Sequence, residues 1–510
     1  MVGAIAKQAA AGLSPGSAAR PQAMQLSGFT KPANPQFQQI SASCPICDSA
    51  EVVYEFVAHS VAFSQCRGCD LLFANPRPPR AHDRPASDAA VAAVRCAIRV
   101  ARDYARSEAR RVAVVGHVNQ TQIGGIDVLS PARLAESTAT YDLIILLAAL
   151  ERESDPFTFL QTVSDRLSAG GSLAVLYLSI SSPGAAAMRE RWLPFSEKPT
   201  YCFSTDTMQL LLTRCGFGDF LTFGDARDAG PPIDASARRW FESGAMMLCR
   251  PVERDRRGLL SVIFPVYNER ATVEESLRRV LDKEIPGIDI EVIVVESNSS
   301  DGSKDIVERF RDHPRVRLFS EDRPRGKGYA VRTGLQHARG DVVLFQDADL
   351  EYDVNDYEKL IAPLFELRRT FVLGSRHNSR GEAWKIRHFQ EQAVLANVAN
   401  LAHLILLRMF NYLYKQDLAD PFTMYKVFRR DCLHGLTFEC NRFDFDFEIN
   451  IKLIRKGYKP IEFPVNYESR SFAEGKKVSF FGDPPTWVRA MLKLKRVPLY
   501  ALTREAKVRR

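Results

Sequence analysis

Three apolar runs, each ending in a polar loop, constrain this chain more than any other feature. The first, Ser261-Val262-Ile263-Phe264-Pro265-Val266, turns through Tyr267-Asn268-Glu269 into a helical pattern over 272–281, with Glu274 and Glu275 in its first turn. The second, Glu291-Val292-Ile293-Val294-Val295-Glu296, breaks into Ser297-Asn298-Ser299-Ser300-Asp301-Gly302 and a helix over 304–311. A basic, glycine-rich stretch, Arg323-Pro324-Arg325-Gly326-Lys327-Gly328, opens the next helix. The third run follows it, Val342-Val343-Leu344-Phe345-Gln346, and ends in Asp347-Ala348-Asp349. Strands alternating with helices in this order predict a parallel sheet with crossover helices. Ligands of such sheets lie beyond the carboxyl ends of the strands. The 265–269 turn, the 296–301 loop and the Asp347/Asp349 pair are therefore expected to border one crevice.

The chemistry of that crevice follows from the residue types. On an extended chain, carboxylates at i and i+2 point the same way. Two of them at a strand end suit a hard divalent cation, which in turn holds phosphate oxygens. Two further segments carry cations, Gly374-Ser375-Arg376 and the stretch Tyr467-Glu468-Ser469-Arg470-Ser471-Phe472-Ala473-Glu474-Gly475-Lys476-Lys477. In this order and spacing, residues 258–490 resemble the family-2 glycosyltransferases of GT-A fold, of the dolichyl-phosphate mannose synthase type. The resemblance implies that Pro265, Tyr267 and Glu269 contact the nucleotide. It implies that Asp347, Ala348 and Asp349 form the metal and diphosphate motif, with Glu351 as a further ligand of Mg2+ or Mn2+. It gives Arg376, Arg470 and Lys476 the role of phosphate-facing cations that act with Asp347 and Asp349 in catalysis. Where the family has paired aspartates after its second strand, this chain has Glu296 and Ser297. These are assigned to the nucleotide, whether UDP or GDP. Lys327 and Arg325 are read as supports for it.

The implied reaction is inverting transfer of a hexose from a nucleotide-sugar, for cell-surface glycan synthesis. Its acceptor decides whether a base is needed. A hydroxyl must lose a proton to a placed carboxylate, whereas a polyprenyl phosphate is already anionic and needs cations to seat it. Asp444, Asp446 and Glu448 are the candidate general bases for a glycan hydroxyl. The Arg470/Lys476 pair favours the lipid phosphate.

The rest of the chain is organised differently. Residues 1–40 contain no Asp or Glu and are rich in Ala, Gly, Pro, Ser and Gln, as in a disordered extension. Cys44-Pro45-Ile46-Cys47 and Cys66-Arg67-Gly68-Cys69 have the spacing of a closed, structural Zn2+ site within a ribbon over 41–80. The other six of the ten cysteines are scattered, which argues against a disulfide framework. Residues 90–250 read as a second α/β segment and, behind the ribbon, resemble class I methyltransferases. The glycine-rich loop such enzymes need after their first strand is replaced by His117-Val118-Asn119-Gln120. Asp127 stands alone as a candidate ribose-binding acid. A degenerate, non-catalytic domain is therefore expected; a working S-adenosylmethionine-binding methyltransferase is the alternative.

Residues 255–490 are of ordinary size for an independent domain, and 491–510 read as a basic tail. The net charge of +8 fits anionic partners without singling out nucleic acid, and none is expected. The longest apolar stretch, 393–410, is interrupted by Asn397, Asn400, His403 and Arg408, so it reads as a packed or membrane-lying helix rather than a span. With no signal-peptide core visible, a cytoplasmic chain is expected, peripheral on the inner face of the membrane.

Overall fold

The structure is a computed structural model. It describes residues 41–78, 86–104, 110–116, 118, 123–224, 235–253, 258–376, 393–468 and 483–500. The 1–40 extension, Arg470, Lys476 and residues 501–510 lie outside the described residues.

Three sheets carry the chain. β1 (Val52–Ala58), β2 (Val61–Cys66) and β3 (Leu72–Ala74) form an antiparallel ribbon that holds the two cysteine pairs at one end. A second sheet begins with β4 (Val112–Val115), β5 (Asp127–Leu129), β6 (Tyr141–Leu147) and β7 (Leu167–Leu178), all parallel. The chain then sends β8 (Tyr201–Cys202) back to the ribbon, where Leu72 pairs with Cys202 and Phe73 with Tyr201. β9 (Phe217–Phe223) and β10 (Gly244–Pro251) complete the second sheet, in the order β5-β4-β6-β7-β10-β9, with β10 antiparallel to both neighbours. Ribbon and sheet share one core, in which Cys44, Ile46 and Phe73 pack with Leu146, Tyr177 and Met208. They are one packed unit rather than two beads.

The third sheet is the expected parallel one. β11 (Gly258–Val266) lies in parallel between β12 (Ile288–Glu296) and β14 (Val342–Phe345), and β13 (Val316–Ser320) edges β12. β15 (Phe371–Ser375), β16 (Lys426–Arg429) and β17 (Ile461–Pro464) extend it as a mixed half, in the order β13-β12-β11-β14-β16-β15-β17. The apolar runs become strands buried on both faces; Val262, Ile263, Phe264, Val292 and Val294 are all fully buried. The crossover helix Val273–Leu281 has acids in its first turn and Arg278 and Arg279 in its last, which oppose the helix dipole and form i,i+4 pairs of 2.9 and 2.5 Å.

The two α/β units meet over a polar interface. Lys456 Nζ donates to the carbonyls of Phe220, Cys432 and His434 at 2.7, 2.8 and 2.8 Å. Thr222 Oγ1 donates to Lys456 O at 2.6 Å, and Lys459 N to Asp206 Oδ2 at 2.9 Å. Residues 255–490 are thus not surrounded by solvent alone. Nor is the C-terminal segment a free tail from residue 491. Helix Asp483–Leu494 buries Ala490, Met491 and Leu494, and Tyr500 OH donates to Thr222 O at 2.8 Å. Apolar residues at every third or fourth position of that segment outweigh its basic character. Among the described residues, no helix is long and apolar enough to cross a membrane.

Candidate functional site

The carboxyl edge of β11, β12 and β14 is where the polar loops gather. The 265–269 turn and the 296–301 loop interlock. Asn268 N donates to Ser299 Oγ at 2.9 Å, Ser300 N to Asn268 Oδ1 at 2.9 Å and Glu269 N to Ser303 Oγ at 2.8 Å. Asn268 and Asn298 take left-handed backbone angles, which asparagine tolerates better than most residues. Tyr267 is exposed and Pro265 half-buried, so both are accessible at this edge. Ser297 is buried, its N–H bonded to Val266 O at 2.9 Å.

Glu296 departs from its expected role. It is fully buried, and its carboxylate accepts the N–H groups of Asn298 and Ser299 at 3.1 and 2.6 Å. It shapes the loop from beneath rather than facing a nucleotide. Asp301 does similar work, accepting from Arg270 N and Ser303 N at 2.9 Å each.

β14 ends at Phe345, so Asp347 and Asp349 lie in the turn beyond it and the extended-chain argument for their common direction does not hold. What places them is hydrogen bonding. Ser276 Oγ donates to the carbonyls of Asp347 and Asp349 at 3.2 and 3.1 Å. Gln346, buried below, accepts from Tyr357 and Tyr425 hydroxyls at 2.9 and 2.8 Å. Ala348 is buried. Asp349 Oδ1 accepts Glu351 N at 3.1 Å, and Tyr467 OH donates to Glu351 Oε2 at 3.1 Å. Glu468 N donates to Glu351 O at 2.9 Å, so the segment that carries Arg470 and Lys476 leaves the described structure beside the acidic turn.

Asp347 pairs with Lys327, whose Nζ stands 2.7 Å from Oδ1 and 2.8 Å from Oδ2. Burial works against the Lys327 charge, but Asp347, then Asp446 and Asp349, outweigh it and raise the group above its ordinary value. The glycines beside Lys327 serve close packing. A Cβ on Gly328 would stand 2.6 Å from Phe445 Cβ, and one on Gly326 2.5 Å from Asn441 O, with Gly326 at φ +101°. They seat the helix Lys327–His337 against the start of helix Phe445–Arg455.

That second helix separates the three candidate bases. Asp444 accepts Arg442 N at 3.0 Å as part of the helix start. Glu448 is fully buried, pairs with Lys452 at 2.7 Å and accepts Glu439 N and Cys440 N at 3.0 and 2.8 Å. So enclosed, Glu448 is not placed to take a proton from a substrate. Asp446 lies among the site lysines, 3.9 Å from Lys426 Nζ and close enough to Lys327 to raise its pKa. Lys426 was not singled out in the sequence. Its signal was a lone lysine inside the apolar run Met424-Tyr425-Lys426-Val427-Phe428. It is fully buried, its ammonium donates to Thr423 O, and burial pulls its pKa down to about 8 although Asp446 opposes the shift.

Arg376 does not stand as an open phosphate-facing cation. Its Nε and Nη2 clasp Asp420 at 2.7 Å each, and its N–H reaches the same carboxylate at 3.0 Å. Burial would raise the Asp420 pKa, but Arg376 more than offsets this and holds it well below the carboxylate range. A buried bidentate pair of this kind fixes β15 to the loop before β16.

Two donor sets could hold metal. Among the described residues, the only cluster of three or more candidate ligands is Cys44, Cys47, Cys66 and Cys69, all buried, with ligand atoms within 4.8 Å of one another. Four sulfurs leave no open position. Asp347, Asp349 and Glu351 do not close into such a cage. Their chemistry fits a cation held by one or two carboxylates and completed by water and phosphate oxygens.

Comparison with known proteins follows this geometry. Residues 261–436 match the family model described as glycosyl transferase family 2. Glycosyltransferase AglD of Haloferax volcanii is 29% identical over 228 residues, covering 43% of this chain and 35% of its own. Dolichol-phosphate mannosyltransferase of Pyrococcus furiosus is 26% identical over 219 residues, covering 42% and 58%. Undecaprenyl-phosphate 4-deoxy-4-formamido-L-arabinose transferase of Enterobacter sp. is 26% identical over 220 residues, covering 42% and 62%. The chain thus spans from about a third to less than two thirds of the length of these relatives. Among solved structures, glucosyl-3-phosphoglycerate synthase from Mycobacterium tuberculosis, with Mn2+ and UDP-glucose, is 20% identical with a TM-score of 0.35, covering 47% of this chain and 81% of its own.

Proposed function

We propose that the chain is a metal-dependent, inverting glycosyltransferase that moves a hexose from a nucleotide-diphosphate sugar to a polyprenyl phosphate. The observation that carries this is the convergence of Asp347, Asp349, Lys327, Asp446 and Lys426 beyond the strand ends of the family-2 region or directly against them. The names of the relatives add support, since two of those quoted act on lipid phosphates. Mg2+ or Mn2+ held by Asp347 and Asp349 would supply charge compensation for the leaving diphosphate. The protein's own part is positional. Lys327 and Lys426 bring two buried cations to a site that must bind two phosphate-bearing substrates, and buried cations act strongly there because little water screens them. Tyr267 and Ser297 border the place for the nucleotide, UDP or GDP. Arg470 and Lys476 are assigned to the acceptor phosphate. A second reading, transfer to a glycan hydroxyl, is favoured by one observation, the carboxylate of Asp446 among the site lysines, which would act as the base.

The same proposal covers the N-terminal half. The four cysteines are assigned a structural Zn2+. Residues 90–250 are read as a degenerate methyltransferase-type domain, supported by the sheet order and the antiparallel β10. The protein is placed peripherally at the cytoplasmic face of a membrane. The test is a transfer screen with UDP- and GDP-sugars and Mn2+, with and without polyprenyl phosphate. Product formed only with the lipid phosphate supports the reading. Product formed on glycans, and lost in Asp446→Asn, replaces it with the second.

A further inference from the structure

We infer that the outer faces of helices Ala393–Tyr414 and Asp483–Leu494 form one surface that docks on an anionic lipid bilayer. This rests on the lipid-phosphate reading for its purpose but on separate residues for its evidence.

Both helices are anchored through the same aromatic layer. His403 and Phe410 pack on Phe422, with ring centroids 5.3 and 5.8 Å apart, and Phe422 packs on Phe447 at 4.7 Å. Trp487 stacks on the same Phe447 at 5.6 Å, and Tyr414 OH donates to Met491 O at 2.6 Å. The helices therefore share this layer and meet at Tyr414 and Met491, each with one face held inward. The opposite faces carry large apolar side chains in the open. Leu401 is 56% exposed, Ile405 61%, Tyr412 85% and Leu492 51%. With Arg408, the first three repeat at i, i+4, i+7 and i+11, a single stripe of the long helix. On the shorter helix a shallow groove is walled by Val488, Leu492 and Pro498 and edged by Arg489, Lys493 and Arg496.

Charge selects the occupant. The long helix contains no Asp or Glu, and the segment 483–500 contains only Asp483, at its start. Lys493 meets Glu439 at 2.8 Å, but Arg408, Arg489 and Arg496 stand exposed among the apolar groups. Exposed leucine, isoleucine and tyrosine interleaved with arginine suit the boundary between acyl chains and anionic headgroups. The helix that carries Phe447 in this layer also carries Asp446.

The test uses the full chain and sedimentation with phosphatidylcholine vesicles, with and without phosphatidylglycerol. The wild type is expected to pellet with the anionic vesicles, less so as salt rises. Leu401→Glu with Ile405→Glu, and separately Arg489→Glu with Arg496→Glu, should each lower binding about tenfold or more. Both should melt like the wild type and keep transfer to detergent-dispersed polyprenyl phosphate. Wild type that stays off anionic vesicles overturns the surface, even if it transfers sugar to lipid phosphate in detergent. Variants that pellet as well as wild type overturn it too. A chain that ignores vesicles but dimerises through this face, with the dimer lost in Leu401→Glu/Ile405→Glu, puts a second copy there instead. A chain that pellets as expected yet transfers nothing to polyprenyl phosphate keeps the surface and refutes the acceptor reading.

Discussion

In the six-stranded sheet the carboxyl ends of β4 and β6 press together. A Cβ on Gly116 would stand 2.9 Å from the carbonyl oxygen of Leu147. The nearby acid, Glu151, is turned inward, with Oε1 accepting Leu178 N at 2.6 Å. In the seven-stranded sheet the corresponding edge is bordered by interlocked turns, and its acids meet Lys327 at a helix start and Lys426 at the start of β16. The two sheets share an architecture of parallel strands and flanking helices. What separates a supporting body from a reaction site is the chemistry of a few loop residues. The N-terminal half is therefore read as a platform and the C-terminal half as the catalyst.

The largest expected effect would sharpen the platform reading. Cys69→Ser should abolish bound zinc by metal analysis and unfold the ribbon, because structural zinc contributes about 10 kcal/mol or more of folding free energy in small domains. Transfer should survive in part. An intact, folded wild-type chain without zinc would break the assignment. Next comes a buried pair on the catalytic side. Asp420→Asn removes the buried carboxylate charge that the Arg376 guanidinium clasps and should cost about 3–5 kcal/mol in denaturant unfolding. Because the Asp420 pKa is depressed in the fold, its contribution is present above its ordinary 3.8 and is lost as pH falls further.

Glu151 carries the opposite sign. Burial, only partly opposed by the Leu178 N–H, pushes its carboxyl from 4.5 up to about 7. The folded state then holds the extra proton, so this contribution is full below 4.5 and is lost as pH rises to about 7. Glu151→Gln should flatten that slope, an effect of about 3 kcal/mol at most. Equal pH slopes for the variant and the parent would contradict it. The smallest expected signal is none at all, as no heat should appear on titration with S-adenosylmethionine. Saturable heat would break the comparison between the halves.

The alternation of apolar runs with helical patterns was readable because it is local. So were the cysteine pairs and the acidic turn. The roles that failed were decided by partners that no local pattern announces, some distant and some near in the chain. Arg376 looked like an open cation until Asp420, 44 residues away, was seen to clasp it. Glu448 looked like a base, but the folding of 439–440 over its carboxylate makes it a helix-start anchor. Lys426 was hidden because a lysine within an apolar run reads as an exception rather than as a buried site cation. The interface around Lys456 joins residues more than 200 apart, beyond any periodic signal.

The claim that the seven-stranded edge is the catalyst is tested most directly by Mn2+-dependent sugar transfer in Asp349→Asn. The substitution keeps the size and one carbonyl oxygen but removes the charge that would bind the cation. Turnover should fall about 100-fold or more with the fold intact. Asp301→Asn, which perturbs only the loop bonds to Arg270 and Ser303, should fall far less. A well-folded Asp349→Asn chain that transfers sugar at near the parent rate would contradict the account.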